Sequence, residues 1–291
     1  MNLRIIEWRA VQETIVKKMA LLQCGNLTLE GKSSSAVATY VRVRELDLVF
    51  DLGRCPMNFI GIGNVFISHF HLDHYFGLPI YISQRWLAGI PPGNIYVPWS
   101  GSKQLMHILD RISALDTGKS WAYQITPVRV GDEIPFRQNL VAHILPSDHS
   151  VPAVSYLICE VRKKLKPEFQ HLSGRDIAEL KHSGVEITTE VQLPLIAYLG
   201  DTRRIPLDAH PLLKQCKVLI CECTFILPEH RVRAKRTMHL HLEMLPSILA
   251  DIESEHIVLT HFSRRYTPEL IRQKVFNYLP PSERSRVQLF L

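Results

Sequence analysis

Three histidines and one aspartate stand close together in the segment 67–74, which reads ISHFHLDH. His69 and His71 project to the same side of an extended chain, and Asp73 and His74 fall on the turn into a predicted helix. Imidazole and carboxylate groups are the ligands expected for Zn²⁺. Four such groups within six residues exceed the share that one loop usually gives to one ion, so the pattern indicates two ions. An exposed polar turn is the alternative, but these side chains serve no packing purpose at the end of a strand.

A site with two ions needs further ligands, and three side chains at the ends of other strand-like segments have the required chemistry. His149 follows NLVAHILPSD, Asp201 follows LIAYLG, and His261 follows HIVLT. Any one of them alone is more often an ordinary loop or core residue. Because all three stand at strand ends, we expect them to complete one metal site with the segment 67–74.

Six segments of the chain carry a family resemblance. They are DLGRCP (51–56), SHFHLDHYFGLP (68–79), GDTR (200–203), CECTF (221–225), HLHLE (239–243) and HFSRRY (261–266). The HxHxDH pattern resembles that of the metallo-β-lactamase superfamily of hydrolases. The sequences FGLP, GDTR and HFSxRY resemble, more narrowly, the ribonuclease Z family of tRNA 3′-processing endonucleases in its short form.

The resemblance implies a ligand set for two zinc ions, with Mn²⁺ or Fe²⁺ as alternatives. The ligands implied for the first ion are His69, His71 and His149, those for the second are Asp73, His74 and His261, and Asp201 bridges the two. Asp51 would orient the ligand loop or a ligand imidazole, as carboxylates beside metal ligands commonly do. A turn aspartate at the end of a strand explains Asp51 equally well.

The resemblance also implies the groups that move protons. Asp73 would receive a proton from the attacking water, and His241, held by Glu222, would donate one to the leaving oxygen. The pair His239 and His241 can instead be polar residues at the N-terminus of a helix predicted over 239–255. Which of the two histidines is the acid stays open at the level of sequence.

Basic residues lie beside three of the predicted site segments, and the chain has a formal net charge of +6. The run RVRAKR (231–236) precedes HLH, and a pair of arginines follows each of Asp201 and His261. A solvated surface is the usual explanation of any one cluster, but three clusters beside site residues favour a polyanionic substrate. The side chains predicted to contact the substrate are Arg203, Ser263 and Arg265.

Two departures from the family pattern bear on a tRNA substrate. The interval 150–199 is short and lacks the Gly-Pro-rich arm tip with which many members grip the tRNA elbow. Glu243 stands where Ser or Thr commonly follows the catalytic histidine. Both departures leave the expected hydrolase chemistry intact, because neither touches the metal ligands.

Nine strand-like and four helical segments must position these residues. The strand-like segments are 36–43, 46–53, 64–71, 94–99, 139–146, 153–161, 195–201, 217–225 and 256–262, and the helical ones are 73–89, 102–115, 239–255 and 268–279. Residues 3–22 fit either a helix or two short strands. Helices between the later strands, with no dividing linker, predict one α/β domain over 1–291. The resemblance implies the four-layer αβ/βα sandwich, in which helices cover two β-sheets.

Composition excludes several classes of protein. The 291 residues are 46% hydrophobic and 21% charged, which is typical of a soluble globular protein rather than a disordered or fibrous one. No run of 18 apolar residues is present, which argues against a membrane span. The first 18 residues lack the apolar stretch of a secretory signal, so a cytoplasmic location is expected. The six cysteines are predicted to be buried free thiols rather than ligands or disulfides.

The motifs and the family resemblance together predict a zinc-dependent phosphodiesterase and endoribonuclease that cleaves the 3′ trailer of precursor tRNA with a metal-activated water. The sequence does not reveal the oligomeric state, and the resemblance alone implies a homodimer. One alternative is a hydrolase of the same fold that acts on another small phosphodiester or ester. The second is a catalytically silent RNA-binding scaffold, which the complete ligand set disfavours and a zinc content near zero would support.

Overall fold

A computed structural model describes residues 19–291, and in this part of the chain fourteen strands form two seven-stranded sheets. The first sheet contains, in both chain and spatial order, β1 (Ala20–Cys24), β2 (Leu27–Ser34), β3 (Ala38–Val43), β4 (Leu48–Phe50), β5 (Asn64–Phe66), β6 (Asn94–Pro98) and β7 (Gln124–Val128). The second contains β8 (Glu133–Arg137), β9 (Leu140–Pro146), β10 (Val154–Leu165), β11 (Thr188–Tyr198), β12 (Val218–Glu222), β13 (His256–Thr260) and β14 (Val287–Leu289), each beside its neighbour in number.

Helices cover the outer face of each sheet. They are α1 (Leu72–Tyr75), α2 (Leu78–Leu87), α3 (Ser102–Thr117), α4 (Gly174–His182), α5 (Arg231–Thr237), α6 (Leu245–Ala250), α7 (Pro268–Tyr278) and α8 (Pro281–Arg284), together with several single turns of 3₁₀ helix. Leu78 and Leu105 of α2 and α3 pack in the cluster outside the first sheet, and Leu245 and Ile271 of α6 and α7 pack outside the second. The inner faces meet through aromatic rings and aliphatic side chains. The four-layer sandwich predicted for the chain is therefore confirmed.

Strand direction brings the ends of separate strands to one edge of the molecule. Strands β4 to β7 are parallel to one another, and so are β11 to β14. Strand β9 also runs in the direction of β11, because β10 is antiparallel to both. The amide of Val154 donates to the carbonyl of Ser68 over 2.9 Å, which ties the second sheet to the loop that follows β5. The carboxyl ends of such strands are where α/β proteins place their ligands.

Most predicted elements are present with different bounds: β10 and α3 are longer than predicted, and β4 and β5 are shorter. Each of the nine strand-like segments contains a strand, and the helices predicted over 102–115 and 268–279 are confirmed as α3 and α7. The segment 73–89 forms two helices rather than one, because Gly77 packs against the backbone of the loop that follows β4. Its amide donates to the carbonyl of Leu52 over 2.7 Å, and a Cβ on Gly77 would lie 2.6 Å from that oxygen.

The helix predicted over 239–255 is wrong. Residues 240–242 are held extended by backbone hydrogen bonds with Phe225, whose amide donates to Leu240 and whose carbonyl accepts from Leu242. Only α6 remains of that helix. Of the ambiguous segment 3–22, residues 20–22 belong to β1, and residues 3–18 lie outside the described part. None of the helices within 19–291 is long and apolar enough to cross a membrane.

Candidate active site

The predicted metal ligands come together at the edge where the parallel strands end. The segment 67–74 follows β5, His149 follows β9, Asp201 follows β11, and His261 follows β13. These segments are far apart in sequence but adjacent in space, because strands of one direction deliver their carboxyl ends to the same edge. Their ligand atoms form groups of three or four within 4.8 Å of one another.

The first group consists of His69, His71, His149 and Asp201. Nδ1 of His71 lies 3.1 Å from Nε2 of His69 and 3.2 Å from Nε2 of His149. Burial, and then the neighbouring His74, hold the pKa of His69 well below its ordinary value, so this imidazole is neutral. A neutral imidazole offers a lone pair, which is the form that binds a metal.

The second group consists of Asp73, His74 and His261. Oδ2 of Asp73 lies 3.6 Å from Nε2 of His74 and 3.5 Å from Nε2 of His261. Oδ2 of Asp201 lies 3.4 Å from the same two nitrogens and 3.7 Å from Nε2 of His69. Asp201 thus stands between the two groups, in the position of a bridging ligand.

The predicted ligand side chains fit divalent cations. In three of the histidines Nδ1 already contacts another group, which leaves Nε2 for a metal ion. Nδ1 of His69 contacts the hydroxyl of Ser68 at 3.0 Å, and Nδ1 of His149 contacts the carbonyl of Met238 at 3.3 Å. Nδ1 of His261 contacts the hydroxyl of Thr224 at 2.9 Å. An Nδ1–H that donates outward leaves Nε2 as a lone pair directed inward, which is how proteins orient imidazole ligands.

Asp51 orients His74 in the same way. Its Oδ2 lies 2.7 Å from Nδ1 of His74 and accepts hydrogen bonds from the hydroxyls of Ser68 at 2.8 Å and Tyr198 at 2.5 Å. Its Oδ1 accepts from the amide of Ser68 over 2.7 Å. Asp51 is fully buried and its φ of 53° lies in the left-handed region, which is uncommon outside glycine. The backbone is therefore held in an unfavourable conformation that places this carboxylate, and the alternative of a plain turn aspartate does not account for these contacts.

The expected pairing of Glu222 with His241 is wrong. Oε1 of Glu222 lies 2.8 Å from Nδ1 of His239, and that histidine lines the central cleft. Nε2 of His241 instead lies 2.9 Å from the carbonyl of Leu227, while its Nδ1 accepts from the amide of Glu243. Both ring nitrogens of His241 are thus taken by the backbone where the chain turns towards α6.

Glu222 also sets the charge of His239. Burial alone would lower the pKa of His239, but the adjacent carboxylate of Glu222 outweighs it and raises that pKa to about 9. Glu222 is itself held in place by Thr224, whose hydroxyl donates to Oε2 of Glu222. The raised pKa favours a protonated imidazole at His239, whose Nδ1 lies 4.0 Å from Oδ2 of Asp201, one of the predicted metal ligands.

A cleft of about 890 Å³ opens over both groups of ligands. Two arginines line it, Arg54 and Arg236, of which only Arg236 lies in a basic cluster noted from the sequence. Arg54 lies in the DLGRCP segment, which was a signal that could have found it. Tyr198, which holds Asp51, gave no signal beyond its place in a strand.

The three predicted substrate contacts have different positions. Arg203 lines a second, basic cavity together with Arg231 and Lys235, and its Nε donates to Asp148 over 2.6 Å. Ser263 is buried and accepts a hydrogen bond from Arg265 over 3.2 Å. Neither Ser263 nor Arg265 lines the central cleft or the basic cavity. Of the three, only Arg203 lines a cavity that also contains His239, whereas the amide of Ser263 donates to the carbonyl of Thr224 beside His261.

The chain is similar in sequence to a protein family and to proteins of known name. Residues 54–262 match the beta-lactamase superfamily domain. The protein named tRNase Z TRZ2, chloroplastic, from Arabidopsis thaliana is 35% identical over 92% of this chain and 76% of its own length. The protein named tRNase Z TRZ1 from the same plant is 32% identical over 92% of this chain and 96% of its own length.

A solved structure has the same fold. Human tRNase Z, short form, superposes with a TM-score of 0.59 over 89% of this chain and 95% of its own, at 19% identity. At that identity the likeness concerns the arrangement of sheets and helices. It agrees with the four layers described above.

Proposed function

We propose, for a chain that belongs to the beta-lactamase superfamily and within it to the ribonuclease Z family, that its substrate is precursor tRNA, cut at the 3′ trailer, and that its metal is zinc. As a member of this family it is a metal-dependent hydrolase and endonuclease. Its relatives are named for tRNA processing, which supports the choice of RNA.

The residues proposed to hold two divalent ions are His69, His71 and His149 for one, Asp73, His74 and His261 for the other, and Asp201 for both. Imidazole with carboxylate favours zinc over magnesium or calcium, and Mn²⁺ or Fe²⁺ are the alternatives. When bound, such ions neutralise the phosphate and make water acidic enough to attack near pH 7.

The remaining steps belong to side chains of this chain. Asp73 takes a proton from the attacking water, and its Oδ2 is held in place by the amide of Ala36 at 2.8 Å. His239 then gives its Nε2 proton to the ribose 3′-oxygen as the bond from phosphorus to that oxygen breaks. The products are a 3′-hydroxyl on the tRNA and a 5′-phosphate on the trailer. Arg54 and Arg236 face the cleft, where they compensate the charge of the phosphate.

The observation that carries this proposal is the pair of Glu222 and His239 beside the metal ligands. A protonated imidazole is needed where the leaving group is a poor one, such as a ribose oxygen, since proton donation contributes about 10²- to 10⁴-fold in rate. A hydrolase of good-leaving-group esters has less need of it. The pair therefore favours an RNA phosphodiester over the small-ester alternative.

The test is cleavage of a precursor tRNA and of bis(p-nitrophenyl) phosphate by the zinc-loaded protein, with metal content measured in parallel. We expect a specific cut that leaves a 3′-hydroxyl, and we expect Asp73→Ala to abolish cleavage of both substrates. Asp208→Ala, which removes an exposed carboxylate 7 residues beyond Asp201, is the matched control and should keep the wild-type rates.

Three outcomes would contradict the proposal in different ways. Hydrolysis of the diester without a specific RNA cut would favour the small-substrate alternative. Wild-type rates in Asp73→Ala would mean that the proposed site is wrong. A protein that binds no divalent ion and cuts neither substrate would favour the RNA-binding scaffold.

Two further expectations belong with this proposal. We propose that the protein forms homodimers through an apolar stripe on α1 and α2, where Leu72, Phe76, Ile80 and Leu87 are all exposed. Leu72 lies in α1, Phe76 directly follows it, and Ile80 and Leu87 lie in α2. The cytoplasmic location stays a prediction, and the names of the relatives include a chloroplastic protein.

A further inference from the structure

A cavity beside the proposed active site is built around a stacked tryptophan and arginine that the reaction described above does not use. The guanidinium carbon of Arg129 lies 3.9 Å from the ring centroid of Trp99. Trp99 is 52% exposed, and within residues 19–291 Arg129 makes no ion pair. The contact is a cation–π interaction between two planar groups that are both exposed.

The fold places this stack at the same edge as the metal ligands. Trp99 follows β6 and Arg129 follows β7, and both strands are parallel to β5, whose end leads into the segment 67–74. The amide of Trp99 donates to the carbonyl of Val128 over 2.8 Å, which joins the two strand ends. The parallel direction of β5, β6 and β7 therefore places the stack at the same edge as the proposed active site.

The stack is also held at a fixed place relative to the ligand loop. The ring of Phe70, which stands between His69 and His71, packs so closely on Gly101 that a Cβ there would lie 2.8 Å from it. Gly101 has a φ of 93°, a conformation that favours glycine. Gly101 therefore allows the loop bearing Trp99 to pack directly on the ligand loop.

The cavity adjoins the central cleft, with which it shares the lining residue Ser150. It measures about 530 Å³, within the range of small-ligand pockets, and it is lined by Trp99 and Arg129 on one side and by the segment 149–154 on another. His149 belongs to the proposed ligand set, and Ser150 lines both this cavity and the central cleft. A group in this cavity would therefore lie beside His149, one of the proposed metal ligands.

We propose that the Trp99–Arg129 cavity binds the base of the first trailer nucleotide, the one that keeps the scissile phosphate. This inference rests on the proposed function. Aromatic rings and arginine planes bind the faces of nucleobases, whatever the base. An aromatic platform with one cation and no carboxylate fits a nucleotide better than an uncharged or cationic ligand.

The position of His239 assigns the trailer rather than the tRNA body to this cavity. His239 lines the central cleft and the basic cavity of Arg203, whereas His149 lines the Trp99–Arg129 cavity. The leaving 3′-oxygen belongs to the last nucleotide of the tRNA body, so this nucleotide lies on the side of His239. The nucleotide across the phosphate then lies on the side of His149 and Trp99.

The test compares wild type, Trp99→Ala and Trp99→Phe on precursor RNAs that carry a normal base or an abasic residue at the first trailer position. On the normal RNA we expect Trp99→Ala to lower kcat/KM by roughly 5- to 150-fold, the range for removing one aromatic ring from beneath a base. The loss should be in KM, because the stack is made before the transition state. Trp99→Phe should restore most of it.

Wild type and Trp99→Ala should cleave the RNA with the abasic trailer residue with equal efficiency. An RNA with the abasic residue at the last position of the tRNA body should still distinguish the two proteins. If the effect of Trp99→Ala persists on the abasic trailer, the proposal is wrong. If it disappears only on the abasic body, the base in the cavity belongs to the tRNA body and the assignment is overturned.

Arg129→Ala provides an independent measurement, with Arg111→Ala as its control. Arg111 is an exposed arginine on α3 without an ion pair among the described residues, so both variants lose one positive charge. Arg129→Ala should raise KM on the RNA with a normal trailer base but not on the RNA with the abasic trailer residue, and Arg111→Ala should raise KM on neither. Equal behaviour of the two variants would contradict the proposal.

Failure of this inference is distinguishable from failure of the proposed function. A wild-type protein that cuts no precursor RNA would overturn the proposed function, and this inference with it. A wild-type protein that cuts the RNA as expected, but is indifferent to Trp99→Ala, would overturn only the role of the cavity.

Discussion

At the scale of single residues, the second ring nitrogen of each histidine decides what the first can do. His239 and His241 are two positions apart and chemically identical, yet Nδ1 of His239 contacts Glu222 whereas both nitrogens of His241 contact backbone groups. Only His239 keeps a nitrogen for the cleft. The proposal of His239 as the acid therefore rests on hydrogen-bond partners rather than on residue type.

Removing each histidine in turn should separate catalysis from stability. His239→Ala should lower kcat on precursor RNA by about 10²- to 10⁴-fold, because the proton donor is lost. Its effect on bis(p-nitrophenyl) phosphate should be smaller, since nitrophenolate leaves without a proton. Steady-state rates on the two substrates check this expectation, and an equal loss on both would argue against the role of an acid.

His241→Ala should act on folding instead. The change removes a hydrogen bond to Leu227 and the acceptor for the amide of Glu243, which together are worth about 1–3 kcal/mol in the free energy of unfolding. Urea unfolding should show a lower midpoint with an unchanged slope. A large loss of kcat without a loss of stability would return the catalytic role to His241.

At the scale of elements, short loops after parallel strands do the positioning. The loop after β4 is joined to the segment after β5 by Leu52, whose amide donates to the carbonyl of His74 over 2.6 Å, and Gly53 follows Leu52. A Cβ on Gly53 would lie 1.8 Å from the carbonyl oxygen of Asp73. Glycine is required here because backbone approaches backbone, not because of an unusual φ.

Gly53→Ala should therefore disturb the ligand loop. The overlap with Asp73 forces the loop to move, at a cost of about 1–3 kcal/mol in the free energy of unfolding, and should weaken metal binding. Gly61→Ala is the matched control, because a Cβ there meets nothing within 4 Å. Thermal unfolding and zinc titration of both variants test the difference, and wild-type zinc affinity in Gly53→Ala would show that the loop tolerates the shift.

At the scale of the whole molecule, two sheets with helices outside leave one helix pair with an apolar face towards solvent. Leu72, Phe76, Ile80 and Leu87 continue from the rim of the cleft along α2. Contiguous exposed apolar patches are commonly interaction sites. The stripe is the basis for expecting a homodimer.

Ile80→Glu combined with Leu87→Glu should convert the dimer to a monomer. Two carboxylates on each copy of a self-complementary surface add like charges to the interface and leave it without apolar contact. Light scattering after size-exclusion chromatography measures the mass. Leu115→Glu, a change of an 89% exposed leucine at the end of α3, should leave the oligomeric state unchanged. A wild-type monomer at all concentrations would contradict the expectation.

The reactivity of the cysteines tests how accessible the protein core is to solvent. Five of the six are buried, and all six are free thiols, as predicted from their number. Burial raises the pKa of Cys159 and Cys55 to about 12 and that of Cys24 to about 11, so these thiols stay protonated at pH 8. The thiolate is the reactive form.

We therefore expect a thiol reagent at pH 8 to react slowly with the folded protein and with all six cysteines in denaturant. Cys55 should be the first to react, because it alone is half-buried. Mass spectrometry after a short exposure identifies the modified residue. Rapid modification of Cys221 or Cys223 would mean that the second sheet opens easily.

The sequence by itself determined which ligand-type side chains meet at one edge, and most of the strands. Both depend on local features, since a strand is recognised from a short apolar run and a ligand from its residue type at the strand end. Asp201 and His261 were predicted on this basis, and the structure places both within one group of atoms with the segment 67–74. The four layers followed from the family resemblance.

Only the tertiary structure decided which histidine faces Glu222, what holds Asp51, and what stands beside the ligands. The choice of His239 depends on backbone pairing with Phe225, which no helical periodicity reveals. Asp51 is held by Tyr198, 147 residues away in sequence. The stack of Trp99 on Arg129 joins the ends of two parallel strands. Each of these contacts depends on the register and direction of distant strands, and that information lies in packing rather than in any short segment of the chain.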